Sequence, residues 1–148
     1  MNFEEIRNKA DRYLNHAQGL IMTKGCMNPV MFSIMGDSVK PVVVNMEDED
    51  SKKIIEDLMK ILSNTCEALI FIFDAYILPL EKGEDAPENI SQHPDRGSTI
   101  SCFIYTKDRT ELHKLDYIHE DSRYTFHDGG WESIEVEKSS YFSNPYIS

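Results

Sequence analysis

The sequence has 148 residues, of which 41% are hydrophobic and 28% are charged, and this is the size and composition of one soluble globular domain. No apolar run reaches the length of about 18 residues that is needed to cross a bilayer. The N-terminal stretch MNFEEIRNKADRY is charged and lacks the apolar core of a signal peptide. We therefore expect a cytoplasmic protein with no membrane partner.

The net charge of −11 at pH 7 is the strongest compositional signal. It argues against direct binding of DNA or RNA, because the phosphate backbone requires a surface of Lys and Arg, and against docking to an anionic membrane. Two interpretations stay open: the charge keeps the protein soluble, or it serves a partner protein that has a basic surface. Such partners include nucleic-acid-handling proteins, whose phosphate sites a carboxylate-rich surface could occupy.

The three cysteines lie far apart in apolar or strand-like sequence: Cys26, Cys66 and Cys102. They form no CxxC pair and no zinc-ligand spacing. We therefore predict reduced, buried thiols, and no metal or other cofactor.

A first helix is predicted from its capping pair and its apolar spacing. Asn2 and Glu5 have the spacing of a capping box, and Gly25 supplies a stop signal, so the helix should run to about Ile21. Its apolar residues recur at helical intervals: Phe3, Ile6, Ala10, Tyr13 and Ala17.

Residues 29–63 predict a β-hairpin followed by a second helix. The hairpin turns near Gly36-Asp37, and Pro41, which has no backbone N–H, places the second strand at a sheet edge or the proline at a bulge. The run EDEDSKK at 47–53 supplies acidic residues and a cap for the helix, with a partner site as its alternative interpretation. The predicted apolar face of the helix consists of Ile54, Ile55, Leu58, Ile61 and Leu62.

The rest of the chain reads mainly as strands. Residues 67–78 predict a central strand, because apolar residues occupy both of its faces. Two further strands follow at 98–108 and 111–120, and residues 124–137 predict a hairpin through Asp128-Gly129-Gly130. The order α-β-β-α-β-β-β, with room for an extra strand, favours an antiparallel sheet. We therefore predict a single α+β domain over residues 1–148, with five or more antiparallel strands and two helices packed on the sheet.

A long loop is predicted at residues 79–97, and loops of this length in compact domains are usually functional or disordered. Its first half, 81–88, is acidic, whereas its second half, SQHPDR at 91–96, is dense in hydrogen-bonding side chains. Just before the loop, Asp74 lies inside the apolar run ALIFIFDAYILPL, where an unpaired carboxylate is costly.

These two segments carry a resemblance. The motif D-A-Y at the end of an apolar strand, followed by S-Q-H-P-D-R, resembles a family of small uncharacterised bacterial and phage proteins with the pattern E-A-W, a variable loop, then P-S-x-H-P-D-R-x-E. Ser98 stands where that pattern has its second acid, so an activity that depends on this acid would be impaired. The resemblance implies a shared scaffold and no particular activity. The matching positions are Asp74, Ala75, Tyr76, Ser91, His93, Pro94, Asp95 and Arg96.

The same side chains allow three interpretations. In the first, Arg96 or His93 pairs with Asp74 and pins the loop to the sheet. Asp95 would then cap the turn or orient the histidine. In the second, these residues together with Ser91 bind a ligand or a partner protein. In the third, they perform general acid–base catalysis, although no nucleophile elbow or HExxH motif accompanies them.

Weaker candidates lie elsewhere. His16 and His113 are predicted to be partly exposed, and Trp131 either packs on the sheet edge or contacts a partner. The uncharged tail, 139–148, carries aromatic residues and either folds back over an apolar surface or binds another molecule. A metal site would require one group of residues to meet, although surface turn positions explain them more simply: His119, Glu120, Asp121, His127 and Asp128.

The sequence as a whole favours a small, acidic, cytoplasmic binding protein without catalytic residues, which acts through contacts with another protein. A homodimer is one alternative partner arrangement. In view of the resemblance, a phage or mobile-element inhibitor or regulator of a nucleic-acid-handling host complex is the most concrete version. The alternative is an enzyme or small-ligand sensor built around Asp74, His93 and Arg96. The predicted binding residues are Asp74, Ser91, His93, Asp95, Arg96 and Trp131.

Overall fold

The computed structural model describes residues 2–47, 50–77, 97–134 and 142–147, and at positions 76 and 77 it describes the backbone only. In these ranges the strands form one antiparallel sheet in the order β2-β1-β3-β4-β5-β6. The predicted α+β class, with two helices and at least five antiparallel strands, is confirmed. The elements are α1 (Phe3–Lys24), β1 (Val30–Met35), β2 (Ser38–Val43), α2 (Ser51–Ser63), β3 (Ala68–Ile77), β4 (Gly97–Tyr105), β5 (Thr110–Glu120) and β6 (Arg123–Ile134).

Strand β3 lies between β1 and β4, which confirms its predicted central place. On one face of β3, Ala68, Ile70 and Ile72 pack with helix α1 in one apolar cluster. Its odd-numbered residues Phe71 and Phe73 pack with helix α2 in a second cluster. Both series are buried, because a strand covered on two sides must be apolar on two sides.

Helix α1 has the predicted caps. The Oδ1 atom of Asn2 accepts a hydrogen bond from the backbone N–H of Glu5 at 2.9 Å. At the other end Gly25 adopts the left-handed conformation, with φ of 77°, and its N–H donates to the carbonyl of Ile21 at 2.9 Å. The helix extends to Lys24, slightly beyond the predicted end.

Helix α2 packs through a narrower stripe than predicted. Ile55 and Met59 are buried against the sheet, whereas Ile54 and Ile61 are 62% and 66% exposed. The prediction that these two isoleucines belong to the buried face is therefore wrong. Apolar residues cover too wide an arc of this helix for their spacing alone to decide which edge meets the sheet. Asp50 occupies the N-cap position, but its side chain makes no capping hydrogen bond.

The hairpin near the C-terminus turns at a different place from the one predicted. The turn that joins β5 and β6 is Asp121-Ser122, where both residues have positive φ, of 51° and 64°, as a two-residue hairpin turn requires. The predicted hairpin through Asp128-Gly129-Gly130 is wrong, because β6 continues through it. These residues instead form a bulge, with a register shift opposite β5 between His113 and Leu115.

The remaining structural predictions are partly confirmed. Strand β2 is an edge strand and pairs Pro41 with Phe32 of β1, so the missing proline N–H fits the edge. All three cysteines are free, but only Cys102 is buried, whereas Cys66 is partly exposed and Cys26 is exposed. The prediction of buried thiols is therefore wrong for Cys26 and Cys66. Within the described ranges, neither helix is long and apolar enough to span a membrane.

Candidate functional site

Asp74 lies near the C-terminal end of β3, paired in register with Ile100 of β4. Its carboxylate is half-buried and accepts a hydrogen bond at Oδ2 from the hydroxyl of Tyr117, at 3.3 Å. Tyr117 is also hydrogen-bonded to the side chain of Ser98. The side-chain hydrogen bond to this carboxylate is thus long and comes from a neutral tyrosine on β5, and the backbone N–H of Asp74 adds a local one.

The environment of Asp74 disfavours its charge. Burial raises the pKa of the Asp74 carboxyl, and the hydrogen bond from Tyr117 offsets only part of this effect. The pKa of Tyr117 is raised to about 12, first by burial and then by the negative charge of Asp74. Among the described residues, no Lys, Arg or His forms an ion pair with Asp74. At neutral pH the ionised carboxylate is therefore a stability cost that a nearby cation would relieve.

A groove of about 810 Å³ opens beside Asp74. Three segments line it: residues 27–29 between α1 and β1, residues 43–47 at and after the end of β2, and Asp74-Ala75 of β3. The lining is largely apolar, with Met27, Met46 and two valines among its residues, and its acidic members are Glu47 and Asp74. An apolar groove with few charged groups of one sign is a typical arrangement for a binding site.

The other members of the predicted constellation lie outside the described residues: Ser91, His93, Asp95 and Arg96. The same holds for the acidic loop segment 81–88 and for two acids of the 47–50 run, Asp48 and Glu49. The pairing of Asp74 with Arg96 or His93 therefore stays a prediction, as does the catalytic alternative.

Sequence reasoning missed a second polar site around His113. We predicted that His113 is partly exposed, which is wrong, because it is 6% exposed. Its Nε2 atom is hydrogen-bonded to Oδ1 of Asp128 on β6, and its Nδ1 atom lies 3.8 Å from Oδ1 of Asp11 on α1. A carboxylate thus faces each ring nitrogen, and Nδ1 has no hydrogen-bond partner among the described residues.

Charged and aromatic residues extend this site along helix α1. Trp131 of the edge strand β6 donates its indole N–H to Asp11 at 2.8 Å and contacts the His113 ring edge-on at 5.0 Å between centroids. Glu111, which is 2% exposed, pairs with Arg7 of α1 and, at 3.1 Å, with Arg109. We call this set the His113 cluster: Arg7, Asp11, Glu111, His113, Asp128 and Trp131.

The His113 cluster fastens helix α1 to the sheet. Arg7 and Asp11 are one helical turn apart and reach β5 and β6, respectively. The pKa of the Asp128 carboxyl is lowered, chiefly by the backbone N–H of Gly130 at 2.8 Å and further by His113, while burial opposes them. Since the imidazole is buried and its neighbours are the protein's own carboxylates, we interpret this site as structural.

The proposed metal-binding group does not assemble. The His119 ring stacks on Tyr124 at 4.1 Å between centroids, and Asp128 is engaged by His113. Across the part of the chain that the structure describes, no three His, Cys, Asp or Glu side chains are placed to hold a metal ion.

Comparisons with known proteins give no relative from which a function could be transferred. The chain matches no protein-family model, no curated protein and no solved structure. The resemblance to bacterial and phage proteins stays a prediction. The function must therefore be inferred from the geometry of the molecule.

Proposed function

We propose that the chain is a non-catalytic binding protein that engages a basic segment of another protein through the groove beside Asp74. The observation that carries the proposal is the half-buried Asp74 carboxylate, whose pKa burial raises and which has no cationic partner among the described residues. A group that lowers stability in the free protein and lies at the edge of a groove is a candidate for a ligand contact.

A lysine or arginine side chain of the partner would complement both the acidic and the apolar lining of the groove. Its charged end would complement Asp74 and Glu47, and an arginine could donate two hydrogen bonds to one carboxylate. Its aliphatic stem would lie on the apolar lining near Met27 and Met46. The net charge of −11 would attract such a partner from a distance and repel acidic proteins.

The most concrete form of this proposal is an inhibitor or regulator of a nucleic-acid-handling complex, of phage or mobile-element origin. Its carboxylates would then occupy phosphate-binding sites on the partner. With labelled duplex DNA bound to a lysine-rich peptide, the wild-type chain should displace the DNA, and Asp74→Asn should displace it less well. If both proteins displaced the DNA equally well, the overall negative charge alone would explain the displacement, and Asp74 would have no specific role.

The direct test uses a fluorescent peptide of alternating lysine and leucine and measures its anisotropy over a series of salt concentrations. We expect affinity to fall as salt rises and to fall about tenfold on Asp74→Asn, which removes one charge-assisted contact. Glu47→Gln should have a smaller effect, because Glu47 is exposed.

The matched control is Asp37→Asn. Asp37 is an exposed acid in the turn between β1 and β2, at the end of these strands away from the groove. Asp37→Asn therefore removes the same charge without changing the proposed site. Equal loss of affinity in Asp37→Asn and Asp74→Asn would refute a specific groove, and no binding by the wild-type chain would refute the proposal.

A further inference from the structure

Residues 142–147 of the tail fold back on the sheet, and Asn144 lies at the turn between β4 and β5. Asn144 is 1% exposed. Its side-chain N–H groups donate to the carbonyls of Thr106 and Arg109 at 2.9 and 3.1 Å and to the hydroxyl of Thr110 at 3.0 Å. Its Oδ1 atom accepts the backbone N–H of Tyr146 at 2.9 Å. Every polar atom of this amide is therefore partnered.

Two aromatic residues anchor the same segment on either side of Asn144. The Phe142 ring packs against Phe71 and Phe73, at 5.3 and 6.1 Å between centroids. The Tyr146 hydroxyl donates to the carbonyl of Cys66 at 2.8 Å. For residues 142–147 the folding-back interpretation of the tail is confirmed. The domain thus binds three alternate side chains of the tail, Phe142, Asn144 and Tyr146, which form the pattern Phe-x-Asn-x-Tyr.

The slot that receives Asn144 is organised by bonds of its own. Within the turn between β4 and β5, the Thr106 hydroxyl accepts the N–H groups of Asp108 and Arg109, and the Thr106 N–H donates to the Arg109 carbonyl at 3.0 Å. The acceptors therefore stay in place without the tail. They select an amide, because an aspartate at this position would bring a carboxylate against two carbonyl oxygens.

The neighbouring surface has room for more than the tail. A groove of about 400 Å³, lined by Phe3, Cys66, Lys107 and Tyr146 among others, adjoins the segment. A longer ligand could add contacts there that the tail does not make.

We propose that this surface is a recognition site for uncharged protein segments of the Phe-x-Asn-x-Tyr type, which the chain's own tail occupies in the free protein. The tail competes with an external segment at an effective concentration in the millimolar range. An external segment therefore binds weakly until the tail is displaced or weakened. This site is separate from the Asp74 groove and does not depend on the function proposed for it.

The experiment weakens the tail in the full-length chain and supplies the segment from outside. Asn144→Asp keeps the side-chain shape but opposes the carbonyls of the slot. A fluorescent peptide SSYFSNPYIS should bind full-length Asn144→Asp at least about tenfold more tightly than it binds the wild type, because the internal competitor is weakened. The same peptide with aspartate in place of its asparagine should bind neither protein.

Controls separate this effect from unfolding. Ser143→Ala changes an exposed residue of the same segment and should behave as the wild type. Tyr146→Phe removes only the hydroxyl contact with Cys66 and should give an intermediate gain in peptide affinity. Equal peptide affinity for the wild type and a folded Asn144→Asp chain would overturn the proposal. It would also be overturned if both Asn144→Asp and Tyr146→Phe were unfolded by circular dichroism, because the tail would then be an integral part of the fold.

Discussion

The His113 cluster and the Asp74 site lie on the same face of one sheet, but they differ in how their carboxylates are neutralised. In the cluster, Glu111 is almost fully buried and meets two arginines, and Asp128 meets a backbone N–H and a histidine. Asp74 is less buried than Glu111, yet among the described residues its side-chain hydrogen-bond partner is a tyrosine hydroxyl at 3.3 Å. Buried charge that is fully paired holds elements together, whereas half-buried charge without a cation among the described residues is available to a partner.

The largest expected effect comes from removing a cation of the His113 cluster. Arg7→Ala leaves the buried Glu111 carboxylate with Arg109 as its one cation among the described residues, and it removes the guanidinium group that lies over the rings of Phe3 and Trp131. Because Arg7 is 37% exposed, we expect a loss of about 2 kcal/mol in unfolding free energy, below the range for a fully buried pair. Urea unfolding at neutral pH measures it.

Arg12→Ala is the control for that experiment, since Arg12 is an exposed arginine on the same helix. It should change the unfolding free energy by less than about 0.5 kcal/mol. If the two variants lost the same stability, the His113 cluster would not be what fastens α1 to the sheet.

Asp128→Asn should have a smaller effect, and its sign can be derived from the pKa. The folded-state pKa of Asp128 is lowered, so its contribution to stability is present above the unfolded pKa and is lost as pH falls through the folded pKa. Asp128→Asn should therefore be less stable than the wild type at pH 7, with the difference shrinking in acid. A difference that does not change with pH would mean that the lost contact is not the ionised carboxylate.

The features that the sequence predicts correctly depend on local signals, whereas the features that it misses depend on contacts between distant residues. The two-sided apolar run of β3, the Asn2 cap and the Gly25 stop are local signals, and the structure confirms them. Asp-Gly-Gly is a stronger local turn signal than Asp121-Ser122, but tertiary pairing along β5 keeps β6 continuous through it. The His113 cluster joins Asp11 to Trp131 and Arg7 to Glu111, which are more than 100 positions apart. No local pattern carries such a pairing.

Asp74 was identified from the sequence for a physical reason. A lone carboxylate in an apolar strand is costly wherever it ends up, so its importance is visible before its partners are. The groove beside it is not visible in this way, because residues 27–29 and 43–47 meet Asp74 only after β1, β2 and β3 have paired.

The most direct test of the central claim is the unfolding free energy of Asp74→Asn relative to the wild type as a function of pH. The pKa of Asp74 is raised by burial, so the wild-type chain loses stability as pH rises from the unfolded value through the folded pKa. Asparagine cannot ionise and should escape this loss. We predict that Asp74→Asn is the more stable protein at pH 7 and that its advantage disappears as pH falls below the ordinary aspartate value of 3.8. A loss of about 3 kcal/mol at pH 7 would contradict the account, because it would show that Asp74 is half of a buried ion pair that anchors the loop.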